Sequence, residues 1–177
     1  MNYLADVYIV NAEALANELH AGTLSEFRAI KHFVVAAIVG GFVFYYPIGI
    51  EYAGSQIGIF GNLLESLLFF MIFGVISYFG IWLCFQANSK GDGKDFFLRM
   101  SVLTLPVMIR VWIVAILAGV PVLIFSTYIF ASFLEDSIAG ALRIVEASLS
   151  ILFEIAFFIV LRNYLTLAAR GVGENVT

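Results

Sequence analysis

Four long apolar runs, separated by short polar stretches, organise the chain: about 32–50 (HFVVAAIVGGFVFYYPIGI), 62–87, 96–131 and 140–165. Each matches or exceeds the ~20 residues needed to cross the hydrocarbon of a bilayer. None alternates apolar and polar positions as a barrel strand does, so the runs predict helices. The third run has 36 residues and as one helix would measure roughly 54 Å, almost twice the hydrocarbon thickness. Pro106 and Pro121 lie within it, and each removes an intrahelical hydrogen bond. The expectation is a short interfacial helix at 96–105, bearing Arg99, followed by a span at about 107–131. The predicted fold class is all-α, an integral membrane bundle of four transmembrane helices.

Ahead of the first span, Leu4, Val7, Tyr8, Leu15 and Leu19 recur at helical spacing within residues 3–19, with Asp6, Asn11, Glu13 and Glu18 on other faces. That pattern predicts an amphipathic cytoplasmic helix. It carries three acids and no Lys or Arg, so docking on the bundle's own cytoplasmic face, or on a partner protein, is expected rather than binding to anionic lipid. Ala21–Gly22 ends it, and Thr23-Leu24-Ser25-Glu26 has capping-box spacing with Thr23 as N-cap. The stretch NSKGDGKD, 88–95, is expected to be a flexible linker. The chain thus divides into a cytoplasmic N-terminal region (1–31), a membrane domain (32–165) and a short cytoplasmic tail (166–177). No Lys or Arg precedes Arg28, so a cleavable secretory signal is not expected.

Composition agrees with the pattern: 62% of the 177 residues are hydrophobic and 12% are charged, with mean hydropathy +1.01. Charge adds an orientation. Arg28 and Lys31 precede the first span, Lys90, Lys94 and Arg99 lie between the second and third, and Arg162 and Arg170 close the fourth. The connections around Glu51 and around Glu135–Asp136 hold no Lys or Arg, so both termini and the 88–95 loop are expected in the cytoplasm, as in a bacterial inner-membrane protein. Trp82 and Tyr164 near the inner boundary, and Tyr45 and Tyr46 near the outer, match aromatic belts. The net charge of −4 is spread over scattered acids with no basic cluster, which argues against nucleic acid as a partner. Cys84 is the single cysteine and His20 and His32 are the two histidines. They form no metal-ligand set, and no metal or cofactor is expected.

Polar groups within the apolar runs are the candidate chemistry. Arg143, Glu146, Ser150 and Glu154 fall within roughly 80° of one another on the fourth helix. An ionised side chain near the bilayer centre costs at least ~2.5–3.5 kcal/mol, so this stripe is expected to face the bundle interior. Arg143 and Glu146 are spaced to pair near the outer boundary, with Glu65 of the second span in reach. Glu154 lies close to the midplane, where it either pairs with Arg110 of the third span or is protonated. Arg110 can instead extend to the headgroups. Ser148 and Ser150 are expected to cap or to bond between helices. Ala36–Gly40 and Ala37–Gly41 have the small-xxx-small spacing of close helix packing, compatible also with a homo-oligomer.

No nucleophile–base pair, phosphate loop or HExxH motif occurs, and catalysis is not expected. KGDGKDFFLRMSVLTLP, from Lys90 to Pro106, resembles the Yip-type small multi-pass membrane proteins, with loose motifs, over roughly residues 62–165. The resemblance implies a non-catalytic membrane organiser that binds partner proteins; members commonly have five spans, against four here. The leading expectation is a scaffold or accessory subunit that works through Leu4, Val7, Tyr8, Leu15 and Leu19 and the 88–95 loop. The alternatives are a small ion- or proton-coupled transporter or channel subunit, using Glu154 with Glu146, Arg143, Glu65 and Arg110, and a membrane immunity protein.

Overall fold

The computed structural model describes residues 7–45, 59–133 and 138–171, with side chains at 7–39, 67–129 and 144–171. Leu4 and most of the two short connections lie outside these residues. Five helices follow one another: α1 Ala12–Ala21, α2 Glu26–Tyr45, α3 Ile59–Ser89, α4 Phe96–Phe133 and α5 Ile138–Arg170. No strand occurs among the described residues.

Three of these helices contain stretches long and apolar enough to cross a membrane: Leu67–Ser89, Phe96–Ile129 and Ile144–Arg170. Their apolar residues are exposed all round the bundle. Phe70 is 78% exposed, Leu117 71% and Tyr128 75%, as expected where lipid replaces water. The long helices pack as a row in which α4 lies between α2 and α5, and α5 between α4 and α3. The ends bearing Arg28 and Lys31, Lys90 and Lys94, Arg99, and Arg162 and Arg170 gather at the same pole of the bundle, where α1 packs against α4 and α5.

The chain departs from the sequence reading in four places. The N-terminal helix starts at Ala12, not near residue 3: Val7–Val10 run outside it, and Asn11 caps it by accepting the Ala14 N–H at 3.1 Å. An Asx cap satisfies an orphan amide and fixes the start more sharply than apolar spacing does. At its end, Gly22 takes the left-handed conformation (φ 65°) and the Thr23 N–H returns to the Glu18 carbonyl at 3.1 Å. Thr23 therefore closes α1, and the cap of α2 is Ser25, whose Oγ accepts from the Arg28 N–H.

Secondly, 96–105 is not a separate interfacial helix. α4 is continuous through Pro106 and Pro121 for 38 residues, roughly 57 Å. Part of this length is packed into protein: Val102, Leu103, Leu105, Pro106 and Val107 are fully buried, and all but Leu105 and Pro106 share one core with Leu15, Leu19, Leu161 and Leu165. Tight packing on both sides holds the helical path despite the missing Pro106 N–H.

The third departure is the 88–95 linker, which is a hydrogen-bonded turn. Asn88 is fully buried, its carbonyl accepts the Gly91 and Gly93 N–H groups at 3.1 Å, and its Nδ2 donates to the Lys94 carbonyl at 3.1 Å. Lastly, Tyr164 is turned inward onto Arg110 and takes no part in a lipid-facing belt; Trp82 is 49% exposed.

Candidate functional site

Two polar constellations stand out, one inside the bundle and one at the α1 pole. The first lies on the seam between α3 and α5. Ser77, Gly80, Cys84, Ala87 and Asn88 follow a three-four spacing along α3, and all but Ser77 are buried. Small residues let the helices approach closely, which is how packing holds helices together where lipid supplies no hydrophobic drive. A Cβ at Gly80 would fall within the ring of Phe158, and Cys84 Sγ lies 3.8 Å from the Phe158 carbonyl. One turn further from the α1 pole, Ser77 Oγ donates to Glu154 Oε1 at 3.2 Å, both groups being half-buried. This is a hydroxyl–carboxyl contact between two spans, near the middle of the Ile144–Arg170 stretch.

Arg110 is not the partner of Glu154. Its Nε donates to the Val10 carbonyl at 2.6 Å, its Nη1 donates to the Tyr164 hydroxyl, and its guanidinium lies 5.4 Å from the Tyr164 ring centre. The charge of α4 thus serves the N-terminal segment, where a backbone carbonyl and an aromatic face supply what a carboxylate would. Nor do Glu146 and Ser150 of the stripe turn inward: both are exposed, as is Ser148. Ser148 and Ser150 donate to the carbonyls of Ile144 and Glu146 on their own helix, instead of bonding between helices. The side chains of Arg143 and Glu65 lie outside the described residues, as do Gly40 and Gly41. Ala36 is buried against Val7 and Leu105, and Ala37 is exposed.

The second constellation ties the α1 pole together. α1 buries Ala12, Leu15, Ala16 and Leu19 against α4 and α5. Of the residues expected to bind a partner, Leu15 and Leu19 are therefore committed to the protein's own core, and Val7 is buried between α2 and α4. Val7, Leu15 and Leu19 are thus occupied by the protein itself, whereas Ile9 and Val10 are exposed. Tyr8 is half-buried, and its hydroxyl donates to Glu18 Oε1 at 2.8 Å. Glu18 Oε2 pairs with Arg28 Nη1 at 2.9 Å, and the Arg28 guanidinium sits 5.5 Å from the Tyr8 ring centre. Beneath Tyr8, His32 is fully buried, with its Nε2 accepting the Tyr8 N–H at 2.9 Å and its Nδ1–H donating to the Arg28 carbonyl at 2.8 Å.

Across the pole, Arg99 is 3% exposed. It grips Asp92 with both terminal nitrogens, Nη2 to Oδ2 at 2.7 Å, and donates from Nη1 to Asn88 Oδ1 at 3.0 Å. The guanidinium holds the Asp92 carboxyl down at about 2, with the Lys94 N–H assisting. The turn is fastened to α5 by the Asp92 N–H, which donates to the Ala169 carbonyl at 3.2 Å. From the other side His20 Nδ1–H donates to the Ala168 carbonyl at 3.3 Å. Sequence reasoning missed Asn88, Asp92, Glu18, Arg28, His32 and Ser77. The signal for Ser77 was the small-residue spacing of α3; the others act through side-chain pairs and backbone bonds at spacings that match no motif. Among the described residues no group of three His, Cys, Asp or Glu side chains is placed to hold a metal ion. Comparison with protein-family models, curated proteins and solved structures gives no match.

Proposed function

We propose that the chain is a non-catalytic multi-pass membrane protein in which α2 to α5 each cross the bilayer, the α1 pole faces the cytoplasm, and that pole presents a rigid platform to a partner protein. The supporting observation is the fastening of the pole: α1, the 88–95 turn and the end of α5 are joined by buried apolar contacts and by the Arg99–Asp92–Asn88 and His20–Ala168 bonds. Such order at an aqueous end costs conformational entropy and yields a surface of fixed shape. The partner surface is the outward side, including Glu13, Glu26, Lys90 and Lys94, all exposed, since the inward side is occupied. The seven basic residues at this pole support its cytoplasmic placement, and the Yip-type resemblance agrees with an organiser role.

Photo-crosslinking in native membranes, with the crosslinker at Lys90, tests the reading. A defined adduct lost in a Glu13→Lys/Lys94→Glu variant, but kept in Glu154→Gln, is the expected result. Absence of any adduct from each of the four exposed positions would overturn it.

A second reading, proton- or cation-coupled transport, draws on the Ser77–Glu154 contact, because the carboxyl has a hydroxyl and no described cation beside it. Its test is flux in liposomes: Glu154→Gln abolishes proton or monovalent-cation uptake under this reading and leaves it unchanged under the first.

A further inference from the structure

The hydrogen bonds of His32 define its charge. A carbonyl carries no proton, so the bond to Arg28 requires a hydrogen on Nδ1. An amide N–H cannot accept, so the bond from Tyr8 requires a bare Nε2. His32 is therefore held neutral and in one tautomer by the non-helical segment Val7–Val10. Two further bonds tie that segment to the bundle, from the Tyr8 hydroxyl to Glu18 and, at its other end, from Arg110 to the Val10 carbonyl. Next to the His32 anchor, on its N-terminal side, Val7 fills an apolar cleft lined by Ala36, Leu105, Val35 and Met108.

We propose that His32 is a proton-operated latch on the Val7–Val10 segment. A proton taken up at Nε2 makes both ring nitrogens donors, so that an N–H faces the Tyr8 N–H, and it puts a positive charge where the ring has no exposed surface. The bond to Arg28 survives, while the bond that holds the segment to α2 is lost. The charged groups around the ring leave this sign unchanged. Glu18 of α1 is engaged by Arg28 of α2 and by the Tyr8 hydroxyl, and Lys31 lies over the Phe27 ring, 4.7 Å from its centre. Arg110 of α4, the helix packed on this part of α2, holds the opposite end of the segment. Release withdraws Val7 and opens the cleft beside Ala36 and Leu105 on the aqueous pole. The latch is independent of whether a partner binds the platform.

Amide hydrogen exchange on the full-length protein in nanodiscs between pH 8 and 5, corrected for the intrinsic rate, tests it. Protection of the Tyr8 amide is expected to fall by about tenfold per pH unit once His32 takes up its proton, while α3 to α5 stay protected. In His32→Gln, where an amide oxygen replaces Nε2, the same protection should not vary with pH. Constant protection in the wild type, or an equal fall in His32→Gln, overturns the proposal. Should the Gln variant fail to close the segment, ¹⁵N-histidine NMR of the wild type decides. The latch requires the Nδ1–H tautomer near pH 8 and proton uptake in step with loss of protection; titration without release overturns it.

Discussion

Asp92 and Arg99 show how much one ion pair at the edge of a membrane protein can carry. The carboxyl titrates at about 2 in the folded chain, below its ordinary ~3.9. Its contribution to stability is therefore complete above about pH 4 and is lost as the pH falls toward 2. With solvent reaching Asp92, that contribution is on the order of 1 kcal/mol. Asp92→Asn should lower the thermal midpoint in detergent at pH 7, and the gap from wild type should close as pH 2 is approached. At Gly91 an added Cβ would sit 2.8 Å from the Ala169 carbonyl oxygen, so Gly91→Ala should cost about 1–3 kcal/mol in the same assay. At this scale the sequence was partly legible. Glu154 is conspicuous in an apolar run because the cost of an isolated charge there is large and local. The partners of Arg110 are a carbonyl 100 residues away and a tyrosine hydroxyl, and no charge pattern encodes them.

Among the elements, α1 repays most attention. Its burial of Leu15, fully enclosed, takes place at an aqueous pole, where removing apolar surface from water is favourable. Leu15→Ala should destabilise its docking by about 2–5 kcal/mol, read as faster proteolysis within residues 12–25 while α3 to α5 remain protease-resistant. Resistance equal to wild type would show that the contacts of α1 contribute little. The existence of this amphipathic helix was legible from apolar spacing; its start was not, because Asn11 decides it through one cap bond. The break expected at Pro106 failed for a related reason. Proline's cost to a helix is local and predictable, whereas the core that offsets it comes from α1 and α5.

As a whole, the molecule is a row with α4 and α5 at its centre, and α3 joins chiefly through α5. The seam at Gly80 therefore governs a large part of the fold. Gly80→Leu should separate α3 from α5 while α2, α4 and α5 stay together, which engineered disulfides between α3 and α5 and between α4 and α5 would report. Run lengths and hydropathy made the helices legible, and the distribution of basic residues made the common pole legible. The order within the row was not, since it depends on which faces carry small residues and on inward-turned aromatics such as Phe158 and Tyr164.

The unbroken course of α4 has a mechanical consequence. The first part of this rod, as far as Val111, packs on α1 and α5 at the aqueous side, and most of the remainder, from Trp112 onward, is exposed and meets the lipid. Bilayers that differ in thickness by a few ångströms change the preferred tilt of such a rod. With one end fixed, the tilt has its pivot near Pro106, and Arg110, four residues beyond it on the long arm, carries the tether to Val10. Membrane thickness thereby bears directly on the N-terminal segment, across a distance that no single side chain spans.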